Sequence, residues 1–216
     1  MESVVEIISV ISGKDRGKLA PDVSLRALGI TSSIEILKIQ SALERKFSQK
    51  LPPLGDTWTI DKIAAQVGGS QTGSVSTATL TKPTVEPRPA KATAGANVGS
   101  IFIGVDIEEI EHLPETSNYR DHDFYRSVFH DSEISYALLK PEPRIHLCGI
   151  FCAKEALKKS AVELIELRMD EIQVHHRQGR PSITTVHDSI NSRFTFQVSI
   201  SHSSCYAVAN VLAIAE

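Results

Sequence analysis

Cysteine is scarce in this chain, with three among 216 residues. An odd, small number argues against a disulfide framework. Cys148 and Cys152 stand one helical turn apart without His or Cys partners at zinc spacing. All three are expected to be reduced, mostly buried thiols, as in a cytoplasmic protein. Long hydrophobic runs are also lacking, and none approaches the roughly 20 residues that span a bilayer. The opening Met1-Glu2-Ser3-Val4-Val5-Glu6 has no basic stretch and carries acidic residues, so it reads as no signal peptide. Nor is there an excess of positive charge, since the net charge is -3. Nothing in its distribution suggests a nucleic-acid or membrane surface.

What is present suits a packed, water-soluble chain: 41% hydrophobic and 23% charged residues. The length allows one large domain or two small ones, and the charge is divided unevenly. Residues 1–67 carry nine Lys/Arg against eight Asp/Glu, whereas residues 101–216 carry eleven against seventeen.

The first segment, 1–67, has the spacing of a small all-α bundle. Val4, Val5, Ile8 and Ile11 predict a first helix, and the stretch from Gly13 to Pro21 reads as a loop. A second, amphipathic helix follows Thr31-Ser32-Ser33, any of which is a fitting N-cap. Its apolar positions are Ile34, Leu37, Ile39, Ala42, Leu43 and Phe47, and Leu51-Pro52-Pro53 breaks it. A short third helix starts near Thr59 and runs to Val67. Residues 68–99 are rich in Gly, Ser, Thr, Pro and Ala, and predict a disordered linker. From residue 100 to 216 the pattern is that of one α+β domain. Strands are expected at 101–105, 172–176, 183–186, 194–200 and 206–213, a turn at 138–143 and a long helix over 146–164.

Three blocks in the second domain carry chemistry. Ile103-Gly104-Val105-Asp106-Ile107-Glu108 ends an apolar strand in two carboxylates, which alternation puts on one face. Phe151-x-x-Lys154-Glu155-x-x-x-Lys159 lies on the long helix, where Glu155 and Lys159 stack one turn apart. Ser199-Ile200-Ser201-His202-Ser203 closes a later strand. Met singly, each has an ordinary structural explanation: a surface ion pair, a strand-end turn residue, a satisfied polar histidine.

Together and in this order the blocks resemble the 4′-phosphopantetheinyl transferases, in particular the holo-acyl-carrier-protein synthase type. The Phe124-x-x-x-Val128-Phe129-x-x-x-Glu133 pattern and Gly179-Arg180-Pro181 extend the likeness. The resemblance implies Mg²⁺-dependent transfer of the 4′-phosphopantetheine arm of coenzyme A to a carrier serine, releasing adenosine 3′,5′-bisphosphate. It further implies Asp106 and Glu155 as Mg²⁺ ligands with Glu108 as a candidate third, Glu155 or a water it orients as the base, and Lys159 as the group that neutralises phosphate. Ser201 and His202 would bind coenzyme A, with Lys154 as a further candidate. A single transferase unit implies a homotrimer with active sites between subunits.

The first segment, in turn, resembles acyl carrier proteins. Leu28-Gly29 precedes the helix and Leu43-Glu44-Arg45-Lys46-Phe47 ends it. Counting back from Phe47 marks Ser33 as the phosphopantetheine attachment site, whereas counting forward from Leu28-Gly29 marks Ser32. The expectation is thus a carrier fused to its own transferase, loading Ser33 in cis or between subunits, in fatty-acyl, polyketide or peptide assembly. Alternatives are a transferase that serves other carriers and acyl-assembly enzymes, and a carrier on an inactive domain used only for oligomerisation. Two departures stand out, His112 and Ile150, where the transferase pattern has basic residues. The polarity is also exchanged: the transferase half is acidic and Ser33–Phe47 carries three Lys/Arg against two Glu. This pattern predicts a transferase matched to its own carrier and slow with acidic ones.

Overall fold

The computed structural model describes residues 1–68 and 99–216. The linker reading over 68–99 therefore falls, apart from Gly68 and Gly99, outside the described residues. Three helices build the N-terminal segment: α1 (Glu2–Ser12), α2 (Ser33–Phe47) and α3 (Ile60–Gly68). Val4 and Ile8 of α1, Ile36, Ile39 and Leu43 of α2, and Ile60 and Ile63 of α3 close a small core with Leu25 and Ile30. At roughly 25 cal/mol per Å² of apolar surface removed from water, such burial is what holds short helices together.

Helix α2 departs from the expected single apolar stripe. Ile36, Ile39 and Leu43 face its own bundle, while Ile34 is buried in the core of the second domain with Leu37 packed against it. The three-residue step from Ile34 to Leu37 puts both on one face. One helix therefore belongs to two cores.

The second domain begins with β1 (Ile101–Glu109) and continues through α4 (Asp123–Val128), α5 (Asp131–Leu138) and α6 (Pro143–Ser160). The hairpin β2 (Ile172–Arg177) and β3 (Arg180–Thr185), short α7 (Asp188–Asn191), β4 (Phe194–His202) and β5 (Tyr206–Ala215) complete it. An antiparallel sheet has the order β1-β5-β4, and β2-β3 forms a separate two-stranded ribbon. Helix α6 lies between them, packed on all three sheet strands and on α5 and β2. Residues from Leu147 to Leu157 are accordingly buried around its whole circumference. The helix starts three residues before the expected point, because Pro143 opens it at N1 instead of ending a turn. Cys148 and Cys152 are buried in it, but Cys205 is exposed, contrary to expectation. Among the described residues no helix is long and apolar enough to cross a membrane.

Two details fix α6. Gly104 of β1 touches the helix so closely that a Cβ there would sit 1.8 Å from the Ala156 carbonyl oxygen. On the opposite side Lys154 and Glu133 form a fully buried pair, Nζ to Oε2 2.7 Å, with both side chains at 0% exposure. Lys154 also donates to the carbonyls of Val128 (2.8 Å) and Met169 (3.0 Å). Glu133 accepts from the backbone N–H of Val174 and His130. Every polar group of the pair is thus spent on the fold, which is how buried charge becomes tolerable.

Two outcomes follow from these contacts. Gly104→Ala forces β1 away from α6 and lowers stability by about 2 kcal/mol or more in a urea melt. Glu133→Ala strands the Lys154 ammonium in the core and costs about 3–5 kcal/mol in the same assay.

Candidate active site

The register of β1 places Asp106 and Glu108, two residues apart, on the sheet face that meets α6. Gly104 precedes them on that face, so the tight strand-to-helix approach brings them to Glu155, the neighbour of Ala156. Asp106 is 5% exposed and Glu155 6% exposed. Asp106 Oδ1 accepts from Lys159 Nζ at 2.6 Å, while Oδ2 is buried without a hydrogen-bond partner. The ion pair expected between Glu155 and Lys159 is therefore redistributed: Lys159 goes to Asp106, and Lys158 takes its place 3.6 Å from Glu155 Oε1. Burial alone pulls the Lys159 ammonium down, but its hydrogen bond and charge interaction with Asp106, aided by Glu155 and Glu108, hold it above its usual range.

Glu108 carries the clearest sign of crowded negative charge. Burial, then the charges of Asp106 and Glu155, push its carboxyl up to about 7 against the opposing pull of His112 and Lys159. His112 lies 3.8 Å from Glu108 and 3.4 Å from Glu109.

Against this cluster stands the start of α2. Ser33 is its first residue, and its Oγ donates to Glu155 Oε2 at 3.2 Å, across 122 positions of sequence. Ser32 holds the N-cap position but makes no side-chain capping bond, so neither hydroxyl is used as the capping reading expected. A cavity of about 380 Å³ is lined by Ser32, Ser33, Asp106, Glu108, His112 and Lys159. A second, of about 250 Å³, reaches Ser33, Glu155, Lys158 and Arg168 from the other side. Ser33 borders both.

The remaining expected residues are placed apart. His202 pairs in register with Ala207, and Ala207 with Glu108, so two strand spacings, roughly 10 Å, separate His202 from Glu108. Its ring meets His146 edge-on at 5.1 Å. Ser201 is exposed on the opposite face of β4. Lys154 does not fit the coenzyme role: its ammonium is buried and engaged by Glu133, neither surface-solvated nor open to a ligand. Ile150 is a core residue, 1% exposed. Sequence reasoning missed Lys158 and Arg168, whose partners are set by tertiary contact and leave no trace in spacing.

Asp106, Glu108 and Glu155 are oxygen donors, the ligand type that a hard divalent cation takes. Asp106 Oδ2, buried without a partner, has a free lone pair, and the crowding that raises Glu108 is what a cation's charge would relieve. Among the described residues no group of three His, Cys, Asp or Glu side chains is placed to hold a metal ion by itself. Mg²⁺ commonly takes one or two carboxylates and completes its shell with water and substrate phosphates.

Comparison with known proteins places the second domain in a family. Residues 102–211 match the 4′-phosphopantetheinyl transferase superfamily. The holo-[acyl-carrier-protein] synthase of Chlorobaculum parvum is 34% identical over 113 residues, covering 51% of this chain and 95% of that protein. That of Thermodesulfovibrio yellowstonii is 32% identical over 111 residues, again 51% and 95%. A fatty acid synthase subunit alpha from Aspergillus oryzae is 26% identical over 213 residues, which is 82% of this chain but 12% of that one. Among solved structures, the Chronobacterium ammoniagenes ACPS–CoA complex has 24% identity and a TM-score of 0.44, over 54% of this chain and 98% of its own. With a match over half its length, the chain belongs to the 4′-phosphopantetheinyl transferase superfamily.

Proposed function

We propose that this chain transfers the 4′-phosphopantetheine arm of coenzyme A to its own Ser33, its first 67 residues being an acyl carrier domain. The observation that carries this reading is the contact between Ser33 Oγ and Glu155 Oε2. A hydroxyl donating to a carboxylate has its proton where a general base would take it. The Aspergillus oryzae alignment adds support, since 82% coverage extends beyond the transferase half.

In the reaction, Glu155 accepts the Ser33 proton as Oγ attacks the β-phosphorus of coenzyme A. The P–O bond to the α-phosphate breaks, and adenosine 3′,5′-bisphosphate leaves with the bridging oxygen. Phosphoryl transfer of this kind depends mostly on positioning and charge stabilisation. Lys159, released from Asp106, and Lys158 supply positive charge to the phosphates. Asp106 and Glu155 would hold Mg²⁺, with Glu108 as a third ligand. When bound, the cation supplies charge neutralisation to the pyrophosphate. His202, roughly 10 Å from Glu108, would meet the nucleotide end of the coenzyme, whereas Ser201, on the opposite face of β4, would not do so within one subunit. Ser33 also stands at the N-terminus of α2, where free backbone N–H groups favour an incoming phosphate.

The sheet suggests how subunits associate. Ile101, Ile103, Val105 and Ile107 alternate along β1 and are all exposed. Their register partners on β5 include Ile214, Leu212 and Val208. Broken only by Asn210, the partner of Val105, an aliphatic face of this kind is uncommon on a monomer, and we assign it to the homotrimer contact. Self-association there would bring a neighbouring subunit to the open side of the site.

Three results test the reading. With coenzyme A and Mg²⁺, the unmodified chain gains one phosphopantetheine by intact mass, Ser32→Ala retains the gain and Ser33→Ala loses it. Loss in Ser32→Ala instead would move the attachment site by one residue. Glu155→Gln slows the gain by about 10²–10⁴-fold, the usual range for a general base. Ile103→Lys reduces the trimer to smaller species in sedimentation, and an unchanged mass would exclude the β1 face as the contact.

A further inference from the structure

The carrier and the transferase meet through charges of unusual arrangement. Arg45 Nε of α2 pairs with Asp123 Oδ2 at the start of α4, 2.9 Å. Lys50 Nζ, just after α2, pairs with Asp170 Oδ2, 2.9 Å. Lys38 Nζ donates to the His112 carbonyl at 2.6 Å. In each case the carrier supplies the cation and the transferase the anion or carbonyl. One contact runs the other way. Arg168 Nη1 of the transferase reaches Glu44 Oε1 at 3.1 Å and also donates to the Leu51 carbonyl.

These contacts differ in what they do. Arg45 and Lys50 are 70% and 62% exposed, so water and salt screen their pairs and each adds little affinity. Charges of that sort chiefly steer approach and reject wrong partners. Glu44 and Arg168 are 9% and 17% exposed. Glu44 Oε1 already accepts from Gln40 Nε2 and from the Leu51 N–H, so Arg168 reads a carboxylate whose position the carrier itself fixes. An Arg that touches both Glu44 and the Leu51 carbonyl senses the end of α2 and the turn after it together.

We propose that this face is a two-part selectivity device: Arg168 sets the register of a carrier helix through Glu44, and Asp123 with Asp170 selects carriers whose helix ends in basic residues. The fitting partner is a carrier with cations at the positions of Arg45 and Lys50, whether on this chain or a second copy. A carrier with acidic residues there would set carboxylate against carboxylate. The proposal rests on the loading of Ser33, and its test separates the two.

The test is a charge-exchange cycle in the full chain, read both by amide hydrogen exchange across α2 and by the initial rate of phosphopantetheine gain. Arg45→Glu alone and Asp123→Arg alone each oppose like charges. Each is expected to speed exchange in α2 and slow loading, by about three- to tenfold. The double variant should return within about twofold of the parent on both readouts, which a merely structural loss of either side chain would not do. Arg168→Met, which keeps an apolar stem, should exceed either single variant in both effects. A further arm offers a free acyl carrier protein, acidic at the positions of Arg45 and Lys50, to the Ser33→Ala chain. There Asp123→Arg should raise the loading rate about tenfold. Single variants that match the parent, a double variant no better than the singles, or an acidic carrier indifferent to Asp123→Arg would overturn the proposal. Exchange that follows the cycle in a chain that gains no phosphopantetheine would leave the docking face standing and remove the transfer reading instead.

Discussion

The contact between β1 and α6 at Gly104 governs most of what this molecule can do. A glycine lets the strand backbone approach the Ala156 carbonyl more closely than any side chain would permit. Strand alternation carries that closeness forward to Asp106 and Glu108, and the helix presents Glu155 one residue before Ala156. Three carboxylates thereby share a small, partly buried volume, and Lys158 and Lys159 are drawn in to offset them. The buried Lys154–Glu133 pair holds the other side of α6 against α5 and β2. The strain of concentrated negative charge is local, and the surrounding packing is what allows it to persist.

Much of this was legible from residue order. Short apolar runs marked the five strands, 3.6-residue spacing marked α1, α2 and α3, and strong helix formers marked the body of α6. Asp106, Glu108, Glu155 and Ser33 stood out because their residue types and motifs are tied to local elements. What escaped depended on distance in sequence. Helices α4 and α5, of six and eight residues, are too short for periodicity to declare them. Lys154 and Lys159 sit in one motif with similar prospects, yet one is enclosed by Glu133 and two carbonyls while the other reaches Asp106. No spacing rule tells them apart. The same holds for Leu37 and Ile39, two apolar residues of one helix that serve different cores.

Helix α2 joins the two halves of the argument. Its Ile36, Ile39 and Leu43 stripe stabilises the small bundle, its Ile34 and Leu37 stripe anchors that bundle on the transferase, and its first residue points a hydroxyl at Glu155. The apolar anchor supplies most of the association, since it removes surface from water. On the proposal above, the peripheral charges would then decide orientation and partner. That division matches the exchanged polarity of the two segments, with acid on the second domain where α2 and the turn after it bring base.

The Ser33–Glu155 hydrogen bond has a consequence for the time after transfer. A hydroxyl is neutral and donates, so it draws α2 toward the carboxylate. A phosphodiester on the same oxygen is an anion that only accepts, and it would stand within a few ångströms of Glu155 and Asp106. On the transfer reading, the attraction that seats an empty carrier would become repulsion against a loaded one once the cation has left, because Lys158 and Lys159 then face three carboxylates. On the reading given above, the docked state is most favourable before the reaction and least favourable after it. The chemistry at one side-chain oxygen would thus act as its own release signal, giving the carrier a direction of traffic without a separate moving part.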